Sequence, residues 1–152
     1  YNEALALGCV VFRGALEAVI YIAMVISWIF LIILSQEYVK AGAPDASGFQ
    51  TLGAVLLQSD EQMYNILTMV FSIGALMFYY LFYQTKLIPR WLSVLGLVFA
   101  IPYFAGGLLG LFGLEGGFLL APLGVQEMVL AVWLIVKGFN SSAITSLSVI
   151  QD

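Results

Sequence analysis

Four long apolar runs constrain this chain more than any other feature of its sequence. They cover about residues 4–34, 64–83, 90–112 and 118–138. Each is close to or above the roughly 20 residues that an α-helix needs to cross a hydrocarbon core about 30 Å thick. The sequence therefore predicts an all-α transmembrane helical bundle with four membrane-spanning helices. We expect one helical membrane domain over residues 1–152, with the polar stretch 35–60 as an extracytoplasmic loop. The second half of this stretch, from Phe49 to Leu57, is either a short amphipathic helix at the interface or loop.

The composition is that of a protein whose solvent is lipid. Hydrophobic residues make up 62% of the chain and charged residues 9%, whereas soluble domains carry about 25% charged residues. The net charge of −4, without a basic stripe, predicts no nucleic acid partner. A single cysteine, Cys9, excludes an internal disulfide, and the absence of histidine excludes a His/Cys metal site. We predict no metal and no cofactor.

The placement of basic residues predicts the orientation. Three of them lie at positions that four crossings put on one side with the N-terminus: Lys86, Arg90 and Lys137. The other side has Lys40 among five acidic residues, namely Glu37, Asp45, Asp60, Glu61 and Glu115. Because positive charge is retained in the cytoplasm, both termini are predicted to be cytoplasmic. An aromatic belt is predicted around the basic link, formed by Tyr79, Tyr80, Tyr83 and Trp91.

Three ionisable residues fall inside the predicted spans: Arg13, Glu17 and Glu127. Each costs about 2.5–3.5 kcal/mol at mid-membrane on insertion scales, so such residues normally find partners inside a bundle. Arg13 and Glu17 are four residues apart and share a helix face. Counted from the cytoplasmic end, they lie about 12–20 Å deep, and Glu127 lies about 15 Å deep. The three form one candidate intramembrane polar site if the first and last helices are neighbours.

This candidate site has three interpretations at the level of sequence. It is a structural charge cluster that fixes helix order and register, or a polar site for a substrate, ion or proton. In the third interpretation, Arg13 extends to the interface because the first helix starts later. One arginine cannot neutralise two carboxylates, so we expect one of them, Glu127 by preference, to be protonated or reached by water.

Small and polar residues suggest where the helices pack. Two pairs have the small-xxx-small spacing that permits close approach: Gly14 with Ala18, and Gly106 with Gly110. In the last helix, Gly124, Ala131 and Gly138 repeat every seven residues near the face of Glu127, and this face is predicted to pack against protein. Gln126 is expected to point to a different face. Three polar residues of the second helix are expected to form interhelical hydrogen bonds: Asn65, Thr68 and Ser72.

Three segments together resemble a known membrane family. They are the segment from Leu81 to Gly96 with its Pro-Arg-Trp-Leu motif, the segment from Val125 to Phe139 ending Trp-Leu-Ile-Val-Lys-Gly-Phe, and Phe12 to Ala18. In this order they are similar to the prokaryotic integral membrane family called domain of unknown function 4386. The resemblance extends from about Phe12 to Phe139 and corresponds to the C-terminal four helices of that family. It implies a helical fold in a cell membrane, a prokaryotic plasma membrane, and no activity or ligand residue to transfer.

Three classes of function remain open from the sequence. The first is a non-enzymatic helical-bundle component that assembles with membrane lipids, a second copy of itself or another membrane subunit. The second is a small transporter, channel or proton-linked carrier that uses the Arg/Glu layer. An intramembrane enzyme is the third, and it is disfavoured because no Ser/Lys, Asp/Asp or His-based constellation lies at a suitable depth. We therefore expect no enzymatic activity.

Overall fold

The structure, a computed structural model, describes residues 3–42 and 46–148. Its helices are α1 (Glu3–Val10), a π-helical segment (Val11–Leu16), α2 (Glu17–Lys40), α3 (Ala46–Thr85), α4 (Arg90–Leu111), a 3-10 turn (Gly117–Leu120), α5 (Ala121–Val136) and α6 (Ser141–Ser148). Four stretches are long and apolar enough to cross a membrane: Glu3–Lys40, Ser47–Thr85, Arg90–Leu111 and Gly117–Val136. We call them the first to fourth spans. The all-α fold with four spanning helices is confirmed.

The predicted loop over residues 35–60 is wrong, because residues 35–40 and 46–60 are helical, and the alternative of a short helix from Phe49 to Leu57 is part of the longer α3. Helix α2 continues to Lys40, and α3 begins at Ala46. Gly42, with a φ of +69°, follows the end of α2, as glycines commonly do at helix ends. Ser59 lies inside α3, and its hydroxyl donates to the Val55 carbonyl at 2.8 Å. Most polar residues of this stretch therefore lie on exposed faces of helices and not in a loop.

The centre of the molecule is the antiparallel hairpin of α3 and α4. The four-residue link after Thr85 holds these helices side by side. Gly96 on α4 lies directly against the ring of Tyr79 on α3, and a methyl group added there would overlap the ring. This close approach is possible because glycine has no side chain. It buries Tyr79 completely.

The outer two spans pack on different helices of this hairpin. The first span packs mainly on α3, and α5 packs on α4. The buried core includes residues from α3, the link, α4 and α5: Ala75, Tyr79, Phe82, Ile88, Leu92, Ala100, Leu123 and Leu130. The first span contributes Met24 and Ser27 as its buried side chains in the described part of the chain. Most of its apolar surface is exposed, as in a helix that faces lipid.

The small-residue predictions have different outcomes in different helices. Gly106 lies against the backbone of Gly116, and Gly110 lies against the side chain of Asn65, so this pair does permit close approach. The prediction for the last helix is wrong, because Gly124 and Ala131 are exposed. The face of α5 that packs against protein carries Leu123, Gln126 and Leu130 instead.

Candidate functional site

Arg13 lies in the π-helical segment of the first span. The wider turn of a π-helix is rare and often marks a functional position. The aliphatic part of Arg13 lies on Gly74 of α3, where a methyl group would come within 2.7 Å of its Cγ. Its guanidinium lies over the ring of Phe71 at 4.2 Å and near that of Phe78 at 5.5 Å. Gly74 and the rings of Phe71 and Phe78, all in α3, therefore form the surface on which Arg13 lies.

Arg13 contacts both carboxylates of the candidate intramembrane polar site. We call its three residues, Arg13, Glu17 and Glu127, the charged layer. Its Nη2 donates to Glu127 Oε2 at 3.5 Å, and its Nε lies 3.9 Å from Glu17 Oε1. The exposed fractions of the three side chains are 24% for Arg13, 15% for Glu17 and 25% for Glu127. The three residues are thus brought together, and Arg13 does not turn away to an interface.

The predicted proximity of the first and last helices takes the form of a side-chain contact. The first span packs mainly on α3 and α5 packs on α4, and Arg13 Nη2 and Glu127 Oε2 meet at 3.5 Å. Whether the layer binds anything stays a prediction.

A buried series of hydrogen bonds continues from Glu127 through Tyr79 and Gln126 to the third span. We call this series the polar chain. The hydroxyl of Tyr79 lies 2.8 Å from Glu127 Oε1 and 2.6 Å from Gln126 Oε1. The amide of Gln126 donates through Nε2 to the backbone carbonyl of Leu92 at 3.1 Å. This last bond fixes the amide orientation, so its oxygen must face Tyr79. Because a phenol has one proton, Tyr79 donates fully to only one of its two acceptors at a time.

Some polar atoms of the layer remain without hydrogen bonds. Within residues 3–42 and 46–148, Arg13 Nη1 and Glu17 Oε1 are buried and have no hydrogen-bond partner. Glu17 is held by charge alone, because 3.9 Å is too long for a hydrogen bond. The layer therefore has one tightly bonded end, at Tyr79 and Gln126, and one loosely bonded end, at Glu17.

A family model that covers most of the chain identifies its family. The family model "Domain of unknown function (DUF4386)" matches residues 1–138. The chain belongs to this family. No curated protein and no solved structure matches it. The resemblance expected from the three sequence segments is thereby confirmed, and all residues of the charged layer fall inside the matched region of this DUF4386 chain.

Two members of the polar chain were missed by the sequence analysis of this DUF4386 protein. Tyr79 was assigned to the aromatic belt, but it is completely buried, whereas Tyr80, Tyr83 and Trp91 are exposed as predicted. Gln126 was expected to point away from the site, but it contacts the same hydroxyl as Glu127. The available signal was the helical spacing of Leu123, Gln126 and Leu130, which places all three on one face.

The other polar residues of α3 behave differently from expectation. Thr68 and Ser72 donate to carbonyls four residues earlier in the same helix, at 2.9 Å and 2.7 Å, so their hydroxyls are satisfied within α3. Asn65 packs against Gly107 and Gly110, and its Nδ2 has no hydrogen-bond partner among the described residues. In the same part of the chain, no group of three His, Cys, Asp or Glu side chains is placed to hold a metal ion.

Proposed function

We propose that this chain is a non-enzymatic helical-bundle component of a cell membrane, in which the charged layer fixes the order and register of the four spans. One observation carries the proposal. Polar contacts run without a break from Arg13 in the first span, through Glu127 and Gln126 in the fourth and Tyr79 in the second, to the Leu92 carbonyl in the third.

The energetic argument concerns the alternatives to this arrangement. In hydrocarbon, a charged or polar group that loses its partner has no water to replace it. A shift of the first, third or fourth span by a turn would separate Arg13 from Glu127 or Gln126 from Leu92. A shift of the second span would remove Tyr79 from both of its acceptors. Each separation would leave a charged or polar group in hydrocarbon without a partner, which costs on the order of a few kcal/mol. The hydrophobic effect does not distinguish these registers, because lipid tails are as apolar as the helix surfaces.

The proposed location is a prokaryotic plasma membrane with both termini in the cytoplasm. Lys86, Arg90 and Lys137 lie around one cleft at one end of the bundle, which supports this orientation. Membrane lipids are the proposed surroundings of the apolar exterior. A second copy or another membrane subunit is the proposed partner of the first span, whose Gly14 is exposed with no atom within 4 Å of an added Cβ.

The test of the structural role is the substitution Glu127→Gln. It keeps an acceptor near Tyr79 but removes the charge that pairs with Arg13. We expect a loss of about 1.5–3 kcal/mol of stability, the range for hydrogen bonds to charged groups. The measurement is the thermal unfolding midpoint of the purified protein in detergent. Glu115→Gln is the matched control, because Glu115 is exposed in the connection between α4 and the 3-10 turn.

A double-mutant cycle makes this test specific to the bridge. Arg13→Gln and Glu127→Gln are each destabilising, and the double variant should lose less than the sum by at least about 0.5 kcal/mol. Additive losses would show that the two groups do not stabilise one another, and the proposed role would fail.

A small proton-linked carrier is the second candidate, and one observation favours it. The Tyr79 hydroxyl lies between two acceptors, so its hydrogen turns from Gln126 to Glu127 by a small rotation, and the carboxylate of Glu127, which is partly exposed, is the group that would take up a proton. In proteoliposomes with a pH gradient, a carrier would lose pH-dependent flux in Glu127→Gln while keeping its unfolding midpoint. A structural layer shows the opposite result, a lowered midpoint with no flux to lose.

A further inference from the structure

A cleft at the basic end of the bundle lies apart from the charged layer. It has a volume of about 490 Å³ and is formed between the α3–α4 link and the residues that follow α5. Basic, polar and aromatic side chains line it: Lys86, Arg90, Lys137, Asn140, Trp133 and Phe139. We call it the basic cleft.

The basic cleft concentrates unpaired positive charge. It holds three of the five basic residues of the chain, and its lining includes no Asp or Glu. The two other basic residues are paired, Arg13 with Glu17 and Glu127, and Lys40 with Glu37. Within the described ranges, Lys86, Arg90 and Lys137 form no ion pair, and Arg90 lies 5.4 Å from the ring of Tyr83. An anion is the ligand that this charge distribution fits.

Backbone hydrogen bonds hold the two walls of the basic cleft together. The N–H of Asn140 donates to the Leu87 carbonyl at 2.9 Å, and its side-chain amide donates to the Lys86 carbonyl at 3.4 Å. Lys86 and Gly138 both have positive φ, so each connection turns sharply at the cleft. The three cations therefore converge because the fold ties two separate connections to each other.

An apolar surface continues directly from the basic cleft along α5. It shares Trp133 and Lys137 with the cleft, and its other lining residues are hydrophobic: Val125, Met128, Val129, Val132 and Val136. These valines are exposed, so no other part of the described chain covers the surface. A cationic cleft joined to an apolar strip matches a molecule with an anionic head and a hydrocarbon tail, whereas a free phosphate would need only the cleft.

We propose that the basic cleft binds the phosphate of an anionic phospholipid, with an acyl chain lying along the outer face of α5. The site lies where a bilayer places its headgroups, at the end of α5 marked by Trp133. This inference requires only that the spans lie in a membrane, and it is independent of the role of the Arg13 layer.

Lipid binding to the purified protein in a neutral detergent tests the proposal. Native mass spectrometry counts bound lipid as phosphatidylglycerol or phosphatidylcholine is added. We expect preferential binding of phosphatidylglycerol, weakened roughly fivefold by each of Lys86→Gln, Arg90→Gln and Lys137→Gln, since one basic residue contributes about 1 kcal/mol near an anionic surface. Equal binding of the two lipids, or unchanged binding by the triple variant, would overturn the proposal.

Matched variants separate the site from net charge and from misfolding. Lys40→Gln removes one positive charge at a distant position and should leave binding unchanged, and Arg90→Lys should retain most of it. The unfolding midpoint of every variant without lipid shows whether it is folded. A loss of binding in Lys40→Gln equal to that in Lys137→Gln would contradict a local site.

A second set of measurements identifies the source of the anion. Inorganic phosphate and glycerol 3-phosphate should compete with phosphatidylglycerol only at far higher concentrations. Val132→Ser, on the apolar strip, should weaken binding of the long-chain lipid, while Val98→Ser on the exposed face of α4 should not. Effective competition by the soluble phosphates would reject the lipid and assign the cleft to a free phosphate compound.

Discussion

Tyr79 is the residue on which the polar chain depends most. Its ring is completely buried against Gly96, and its hydroxyl contacts two side chains of α5. Gln126, which is 3% exposed, has no other donor for its oxygen among the described contacts. Removing the hydroxyl would therefore leave a buried acceptor without a partner.

The substitution Tyr79→Phe tests this dependence. We expect a loss of about 0.6–1.7 kcal/mol, the range measured for hydrogen bonds between membrane helices. The adjacent Tyr80→Phe is the control, because Tyr80 is 46% exposed and should change stability by less than about 0.5 kcal/mol. Unfolding midpoints in one detergent provide the comparison. Equal midpoints for the two variants would show that the buried hydroxyl stabilises nothing.

At the scale of elements, the close approach of α3 and α4 organises the rest of the bundle. Helix α3 provides the surface on which Arg13 lies, and α4 provides the surface on which α5 packs. Their separation is set where the ring of Tyr79 covers Gly96. A larger residue at this position would push the helices apart and move the hydroxyl away from α5.

Gly96→Ala and Gly124→Ala should therefore have opposite effects. In α4 the added methyl group overlaps the Tyr79 ring, and overpacking costs about 1–3 kcal/mol. In α5 nothing lies within 4 Å of the added atom, and alanine is the better helix former, so the variant should be neutral or slightly stabilised. The measurement is the unfolding midpoint of each variant. A destabilised Gly124→Ala would show that this face of α5 packs against a second copy of the chain or another membrane subunit.

At the scale of the whole molecule, the first two spans are much longer than the last two. Helix α3 has 40 residues and α4 has 22, which correspond to about 60 Å and 33 Å. Even with a 40° tilt, about 26 residues suffice to cross the hydrocarbon core. The α2–α3 hairpin therefore extends beyond the core at the end opposite the basic cleft. An edge-to-face contact of Tyr38 with Phe49, at 5.7 Å, joins its two helices there.

Single cysteines in a Cys9→Ser background test this topology. A membrane-impermeant thiol reagent should label Gln50→Cys from one side and both Gln84→Cys and Asn140→Cys from the other. With the proposed orientation, only Gln50→Cys reacts in intact cells. Val98→Cys lies on the exposed face of α4. It should stay unlabelled, because this face is expected to lie in the hydrocarbon core of the membrane, which the reagent does not enter. Labelling of Gln50→Cys and Asn140→Cys from the same side would refute four crossings.

The sequence determined the four spans and the three residues of the charged layer. Long apolar runs leave few alternatives in hydrocarbon, since each backbone polar group must be bonded within its own helix. Charges inside such runs stand out for the same reason, and their depth follows from the rise per residue. The three-residue layer was found in this way, because Arg13, Glu17 and Glu127 lie at similar depths.

The tertiary structure decided which face of each helix is buried and where the helices end. On α5 it buries Gln126 and exposes Gly124, although both faces are apolar enough for either environment. Hydrophobicity cannot distinguish a lipid-facing surface from a protein-facing one, so the choice follows from the fit of side chains such as Tyr79 on Gly96. The sequence left open only a short helix from Phe49 to Leu57 within residues 35–60, because exposed polar helix and polar loop have similar composition there. The convergence of Lys86, Arg90 and Lys137 on one cleft likewise required the folded chain, since separate connections supply them.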